Sequence, residues 1–402
     1  MRTHILIFNI ILIILLTYPD QRLLSQWYYS LYAEQEFNSN PFGLPEAQQD
    51  QISRFSMGLQ KDWDKVSVQY FGSYLNYLHN SLRNFYWHQL YLGGESQNTG
   101  WNLSAENRLN RKEFEIYNYL TVRTGFFHAL NSNDYLWRIR GTLSLNNFLQ
   151  IQELNHLLFS ASGSLNRSFQ TRTSLIAALS FNYKYYLKPE PSQEVPPDSN
   201  VSYLASVSSI NQGPGPGHGS GGGGGGGGFY YTSTSETPQV AQIYLSLRLA
   251  QSLTRSTGLA IQYQNRTNIN KYDRSIAGLI PGYTTESQIF DDPLSYELQS
   301  YGTELTQILP YLFSLKISAY HQQKQYVAQG IYVDPENYTD TVRREDTFNT
   351  AWFILEKRFN FKLLAETSLA LQFTFQWVDN QSNSYWYDYT SQYYSFGLQL
   401  DM

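Results

Sequence analysis

The sequence predicts an all-β transmembrane protein: an antiparallel up-and-down β-barrel of about 16 strands (range roughly 12–18) with long external loops and short periplasmic turns. Apolar and polar residues alternate with a period of two over most of the chain, as in strands with one face in lipid and one in water. Aromatic residues make up 16% of the 402 residues and charged residues only 15%. This composition suits the aromatic girdles of a membrane barrel better than a soluble enzyme.

Composition also narrows the classes of function. The chain contains no cysteine, so disulfides and thiolate metal sites cannot contribute, and we predict no cofactor and no metal site. Its formal net charge of −5 argues against a nucleic-acid partner, which would need a basic surface. Beyond the first residues no apolar run is long enough to span a bilayer as a helix, so a membrane-spanning form has to be a barrel.

Residues 1–25 are predicted to be a signal peptide. The apolar block Ile5–Leu16 follows basic residues and is too short for a transmembrane helix. Ser25 is a small residue suited to the cleavage position, and a second candidate site follows Ala33. We favour Ser25 because cleavage after Ala33 would remove an alternating stretch. Residues 26–402 are then predicted to form a single barrel domain.

Alternating segments begin at Trp27 and recur along the chain between turn-rich interruptions. The predicted strands are Trp27–Glu36, segments beginning near Phe55, Val66, Phe85 and Trp101, then Phe114–Phe126, Tyr135–Leu145, His156–Leu165, Leu175–Tyr185, Val240–Leu249, Gly258–Gln264, Tyr296–Leu305, Tyr311–Gln322, Phe348–Glu356, Leu369–Trp377 and the last ten residues. An even number of antiparallel strands closes a barrel with both termini on the periplasmic side.

The connections between these segments support the count. The long ones, near residues 38–50, 187–238, 266–294 and 325–346, all follow odd-numbered strands, whereas those after even-numbered strands are mostly short. Residues 187–238 are rich in Gly and Pro and include the run Gly221–Gly228, so we predict a flexible external loop. The run lacks the following Lys and Ser/Thr of a phosphate-binding loop.

The last ten residues, Tyr393 to Met402, are the stretch around which the rest is organised. Tyr394, Phe396, Leu398, Leu400 and Met402 point one way, and polar or small residues point the other. Exposed on a soluble sheet edge, such a strand would invite aggregation. In a closed barrel it pairs on both sides and shows its apolar face to lipid.

Within this stretch, Ser395, Gly397, Leu400 and Met402 fall at the polar, glycine, large apolar and terminal positions of a recurring pattern. The pattern resembles the C-terminal assembly signal of Gram-negative outer-membrane β-barrel proteins, which favour a terminal aromatic where this chain has Met402. The resemblance implies residence in the cell outer membrane among its lipids, recognition by the barrel assembly machinery and a porin-like fold of no identified subfamily.

Basic residues take the polar phase of the clearest strands, where they are predicted to line the pore. They are Arg108, Arg123, Arg138, Arg140, Lys184, Arg248 and Lys316. Arg or Lys facing lipid at mid-depth costs roughly 2–4 kcal/mol, so these side chains should point into the lumen. Acids on that phase are fewer, namely Glu106, Glu115 and Asp401. We therefore expect a net basic lumen that favours small anionic solutes, unless acids from other strands pair with these bases.

Catalytic and cation sites are weaker interpretations. His156, Ser160 and Ser164 share one strand face at four-residue intervals of about 13 Å, too far for direct hydrogen bonds. A Ser–His pair could form across neighbouring strands, and the sequence leaves this question open for these residues and for His88 and His128. A further acidic group in an external loop, Asp334, Glu336 and Asp340, lacks the spacing of a calcium loop and indicates a solvated loop.

These observations together predict a non-enzymatic porin-like channel or solute-binding barrel in the outer membrane, either monomeric or oligomeric. An alternative is a closed barrel that acts as a surface anchor or docking protein. A third interpretation, an outer-membrane lipid hydrolase, rests only on the open Ser–His question.

Overall fold

The computed structural model describes residues 27–132, 134–188, 239–270, 293–362 and 366–402. The predicted signal peptide and the run Gly221–Gly228 lie outside the described residues. Within the described part, the helical segments are 3-10 turns of three to six residues, and no helix is long and apolar enough to cross a membrane.

Sixteen strands of the described chain form one closed antiparallel barrel, in which each strand pairs with the barrel strands before and after it and the last pairs with the first. They are β1 (Trp27–Asn38), β2 (Asp50–Trp63), β3 (Val66–Tyr77), β4 (Phe85–Glu95), β5 (Thr99–Asn110), β6 (Tyr119–Ser132), β7 (Tyr135–Phe148), β8 (His156–Ser168), β9 (Thr173–Tyr186), β10 (Gln239–Ser252), β11 (Thr257–Asn268), β12 (Tyr296–Ile308), β13 (Phe313–Tyr326), β16 (Glu345–Lys362), β17 (Glu366–Ser382) and β18 (Tyr389–Asp401). Two short strands, β14 (Ile331–Tyr332) and β15 (Tyr338–Thr339), pair with each other in the connection between β13 and β16. The predicted fold class is confirmed.

The seam between β1 and β18 closes the barrel. Leu31 faces Leu400 and Ala33 faces Leu398 across it, while the backbone groups of Tyr29 and Met402 exchange two hydrogen bonds of 2.9 Å. The apolar face predicted for β18 points outward, and Gly397 lies on the inward face opposite Glu34. Closure satisfies both edges of β18, which lipid would otherwise leave unpaired.

The connections alternate as predicted between short turns at the end that holds both termini and longer loops at the other end. Residues 64–65, 169–172 and 253–256 are short turns, whereas 39–49 and 327–344 are long. In an outer-membrane barrel this alternation places the short turns in the periplasm. We use periplasmic and external for these two ends.

Two strand starts predicted from the sequence are wrong. Strand β6 begins at Tyr119 rather than Phe114, because Lys112–Tyr117 forms a 3-10 segment whose aromatic rings are buried inside the mouth. Strand β13 begins at Phe313 rather than Tyr311, because Tyr311 and Leu312 take positive φ angles of 60° and 61° in the preceding turn. Glu115 therefore lies in an external connection and not on a strand.

Apolar packing inside the barrel is concentrated at the external end, in what we call the mouth clusters. One contains Phe42, Ile52, Leu75, Tyr77 and Phe85; a second contains Phe148, Ile151, Leu154, Tyr186, Val240 and Leu294; a third contains Tyr296, Leu298 and Tyr326. In the first, the connection after β1 turns inward, so that Phe42 is 1% exposed and Arg83 lies 4.1 Å above its ring. Buried rings thus narrow the external end, while polar side chains line the periplasmic end.

Candidate functional site

The inward face of the barrel brings the predicted basic residues to the lumen side. The pairing register joins inward positions strand by strand, for example Ser104 with Arg123 and Arg123 with Ser144. All seven lie on this inward phase: Arg108, Arg123, Arg138, Arg140, Lys184, Arg248 and Lys316. Their surroundings, however, divide them into three groups.

Arg123, Arg138 and Arg140 form the first group, which we call the basic row. They follow the shared edge of β6 and β7. The Arg138 guanidinium lies 5.0 Å from the ring of Phe127, and its Nε has no hydrogen-bond partner. No acid within the described ranges forms an ion pair with any of the three. Their charge is therefore open to the lumen.

Arg248 and Lys316 form the second group, because both bind the same acid. Arg248 Nη2 lies 3.1 Å from Glu304 Oε1, and Lys316 Nζ lies 2.7 Å from Glu304 Oε2. Sequence reasoning missed Glu304 because β12 carries apolar residues on both faces, so its phase is ambiguous. One carboxylate thus offsets part of the charge of two predicted pore-lining bases.

Arg108 and Lys184 form the third group and are packed into the wall. They are 2% and 1% exposed. The Arg108 guanidinium lies 3.7 Å from the ring of Phe85 and donates to Asn110 Oδ1 at 3.1 Å, and Lys184 Nζ lies 4.8 Å from the ring of Tyr186. Both residues border the mouth clusters, so packing shields their charge from the solvent of the lumen.

Acids are more frequent on the inward face than the sequence indicated. On β18, β1 and β2 they form what we call the acidic wall: Glu34, Glu36, Asp50, Asp62 and Asp401. The side chain of Glu34 accepts from Tyr393 Oη at 3.0 Å and pairs with Arg54 at 3.5 Å. The expectation of few inward acids is wrong, because β1 lacks clean alternation beyond Ala33. The acidic wall and the basic row therefore lie on different strands of the lumen wall.

Polar side chains contribute to the lining of two cavities at the periplasmic end of the described lumen. The larger, about 990 Å³, is lined on the inward side by Ser30, Gln60, Asp62, Gln69, Ser368 and Asp401. The smaller, about 260 Å³, is bordered by Arg172, Arg248 and Glu304. Carboxylates, amides and hydroxyls thus line the lumen at the periplasmic end of the barrel.

The candidate catalytic residues are engaged elsewhere. His156 is buried, with Nε2 3.0 Å from Asn146 Nδ2 and Nδ1 2.8 Å from the Leu154 carbonyl oxygen. Ser160 donates to Asn182 Oδ1 at 2.6 Å. His88 and His128 lie on the outward face of β4 and β6, away from the lumen, with His88 Nδ1 2.9 Å from Tyr70 Oη.

The acidic group in the external loop shapes a turn. Asp334 Oδ1 accepts from the backbone N–H groups of Glu336 and Asn337 at 3.0 and 2.9 Å, and Oδ2 accepts from Asn337 Nδ2. These hydrogen bonds lower the pKa of Asp334 because they stabilise the carboxylate. No three acidic or His side chains of the described residues are arranged to hold a metal.

The external mouth also holds basic residues that the sequence did not single out. Arg344 lies between the rings of Tyr326 and Tyr387, at 4.1 and 3.3 Å, and donates from Nε to Asp346 at 2.9 Å. Contacts made by loop residues have no fixed sequence spacing, so the pair of Arg344 and Asp346 could not be predicted from the sequence. It ties the connection between β13 and β16 to the barrel wall.

Comparison with solved structures finds outer-membrane barrel proteins of low similarity. No protein-family model matches the chain, and neither does any curated protein. Acinetobacter baumannii OccAB1 is 7% identical with a TM-score of 0.49, covering 94% of this chain and 96% of that chain. Pseudomonas aeruginosa OprD is 8% identical with a TM-score of 0.47, covering 94% and 95%. A bacterial polysaccharide outer membrane secretin is 9% identical with a TM-score of 0.45, covering 92% and 97%.

The fold itself indicates insertion in a membrane: the strands close into a barrel, their outward faces are largely apolar, and the terminal strand completes the seam. The architecture is that of a porin-like transmembrane β-barrel, the kind of barrel found in outer membranes.

Proposed function

We propose that this protein is a porin-like channel for small solutes and that the basic row gives it a preference for anions. The observation that carries the proposal is the position of Arg123, Arg138 and Arg140, which face the lumen without an acidic partner among the described residues. A low-dielectric wall strengthens the field of such charges and raises the local concentration of counter-ions.

The preference should be modest. Glu304 offsets Arg248 and Lys316, and the acidic wall attracts cations in another sector of the same lumen. Salt screens both sectors over a Debye length of about 10 Å at 0.1 M. Anion preference is therefore expected to be greater at low salt than at high salt.

Reversal potentials in a planar bilayer across a salt gradient test this proposal. The unmodified channel should favour chloride, and the double variant R138Q/R140Q should move towards neutrality without unfolding. The control K65Q/R255Q removes the same charge from exposed periplasmic turns and should leave the potential unchanged. A cation preference in the unmodified channel, or an unchanged potential in R138Q/R140Q, would contradict it.

A second candidate is a closed barrel that serves as a docking surface. It is favoured by the mouth clusters and by the ordered connection between β13 and β16, where Ser384 accepts from the Tyr332 backbone at 3.0 Å and Gln329 donates to Tyr387 at 2.9 Å. A folded, membrane-inserted protein without conductance would favour this candidate over the channel.

We also propose that Ser395, Gly397, Leu400 and Met402 act as the assembly signal. Its alternation supports this role, since Gly397 lies on the inward face and Leu400 on the outward face of the closing strand. Removal of residues 1–25 as a signal peptide is proposed on a related ground, because cleavage after Ala33 would remove more than half of β1.

A further inference from the structure

The lipid-facing surface of the barrel is polarised by charge. On the described strands, the outward positions hold three basic residues, Lys61, Arg167 and Lys357, and all three lie towards the periplasmic end. The outward acids Glu297, Glu345 and Asp379 all lie towards the external end. Charge on the lipid face is tolerated only near the interfaces, so these residues mark the two boundaries of the apolar band.

Each outward base is held by two aromatic rings. Lys61 lies 4.9 and 5.3 Å from the rings of Trp27 and Trp63. Arg167 lies 4.8 and 4.5 Å from those of Tyr135 and Phe169, and Lys357 lies 5.5 and 5.4 Å from those of Phe313 and Phe359. We call these three groups the cation–aromatic stations. The stations lie on β2, β8 and β16, which are spaced almost evenly around the barrel, so that the stations surround it.

The rings orient the cations but do not neutralise them. Among the residues that the structure describes, no carboxylate forms an ion pair with Lys61, Arg167 or Lys357. The Nε of Arg167 is without a hydrogen-bond partner, and Lys357 donates to the backbone carbonyl of Tyr311. Unneutralised cations at the depth of the headgroups, each beside a ring that sits in the interface, are suited to a phosphate diester.

We propose that the three cation–aromatic stations bind the headgroup phosphate of anionic phospholipids in the periplasmic leaflet. The base contacts the phosphate, and the flanking rings pack against the glycerol and upper acyl region, where amphipathic and apolar rings accumulate. The opposite rim carries no base at its described outward positions, so a phosphate-bearing lipid of the external leaflet has no matching direct contact there.

Native mass spectrometry of the detergent-solubilised barrel with equimolar phosphatidylglycerol, phosphatidylcholine and lipid A tests the proposal. The unmodified protein should retain phosphatidylglycerol in preference to the other two. In K61Q/R167Q/K357Q that preference should fall about fivefold for each lost charge. The control K65Q/K112Q/R255Q loses the same charge from exposed connections without ring contacts and should keep the preference.

Each alternative outcome is decisive. The proposal would be overturned by an equal loss of preference in the control or by the absence of a preference for phosphatidylglycerol in the unmodified protein. It would also be overturned by preferential retention of lipid A or by displacement of the lipid by millimolar inorganic phosphate. Heat-dependent migration on a gel reports whether a variant is folded. If the triple variant does not fold, the single variants replace it, and each should reduce the preference about fivefold. The charge-conserving R167K should retain binding.

Discussion

Glycine residues on the barrel wall differ in whether an aromatic ring covers them. A Cβ added at Gly302 would lie 2.5 Å from the ring of Tyr320, and one at Gly397 would lie 3.1 Å from Tyr32 Oη. At Gly141, an added Cβ would meet no atom within 4 Å. An aromatic ring that packs over a glycine stabilises the strand, and a side chain at the glycine position would displace the ring.

Replacing Gly302 by Ala should therefore destabilise the barrel by about 1–3 kcal/mol, because the ring of Tyr320 has to move off β12. The urea midpoint of folding in detergent or lipid measures the change. The matched control is Gly141→Ala, which fills open space and should leave the midpoint unaltered. Equal midpoints for the two variants would show that the ring contact contributes nothing.

Glu304→Gln should increase anion preference, since it leaves Arg248 and Lys316 facing the lumen without their shared acid. Partly exposed ion pairs contribute only about 0–1 kcal/mol, so the fold should be retained. Reversal potentials measure the shift. Glu297→Gln removes the same charge from the outward face of the same strand and serves as the control; a shift of equal size there would rule out a lumen effect.

At the scale of the element, β18 decides whether the barrel closes. Met402 contributes both a donor and an acceptor to Tyr29, and Leu400 lies opposite Leu31 and Leu369. Deleting Leu400–Met402 should prevent assembly and leave the chain in the periplasm. Fractionation and gel migration measure this, and Met402→Phe, which supplies a terminal aromatic, should assemble normally. Normal membrane levels of the truncated protein would disprove the role of this strand.

Strand prediction succeeded where one face is mostly apolar. The segment Trp101–Leu109 shows this, and its polar residues Asn102, Ser104 and Arg108 all point inward. It failed at Phe114, where aromatic residues mimic a strand but fill the external mouth, and at Glu304, where both faces carry apolar side chains. Whether a base pairs with an acid depends on contacts between strands. The period-two alternation predicts the face on which a residue lies, but it does not predict these contacts.

At the scale of the whole molecule, the orientation in the membrane can be measured directly because the chain has no cysteine. Val333, in the connection between β13 and β16, is 65% exposed, and Leu253, in the turn after β10, is 55% exposed. A membrane-impermeant maleimide should label V333C on intact cells and L253C only after the envelope is opened. The reverse pattern would invert the assignment of the two ends.

The opposed charges on the outer surface also fix how deeply the barrel sits. On β16, Glu345 and Lys357 are twelve residues apart on the same outward face, which at the usual tilt corresponds to about 30 Å along the membrane normal. Movement of the barrel along the membrane normal in either direction places one set of charges in the hydrocarbon core. Each Arg or Lys there costs roughly 2–4 kcal/mol. The bases and acids therefore oppose movement of the barrel along the membrane normal in both directions. When the surrounding bilayer becomes thinner or thicker, the barrel keeps its depth and the lipids adjust instead.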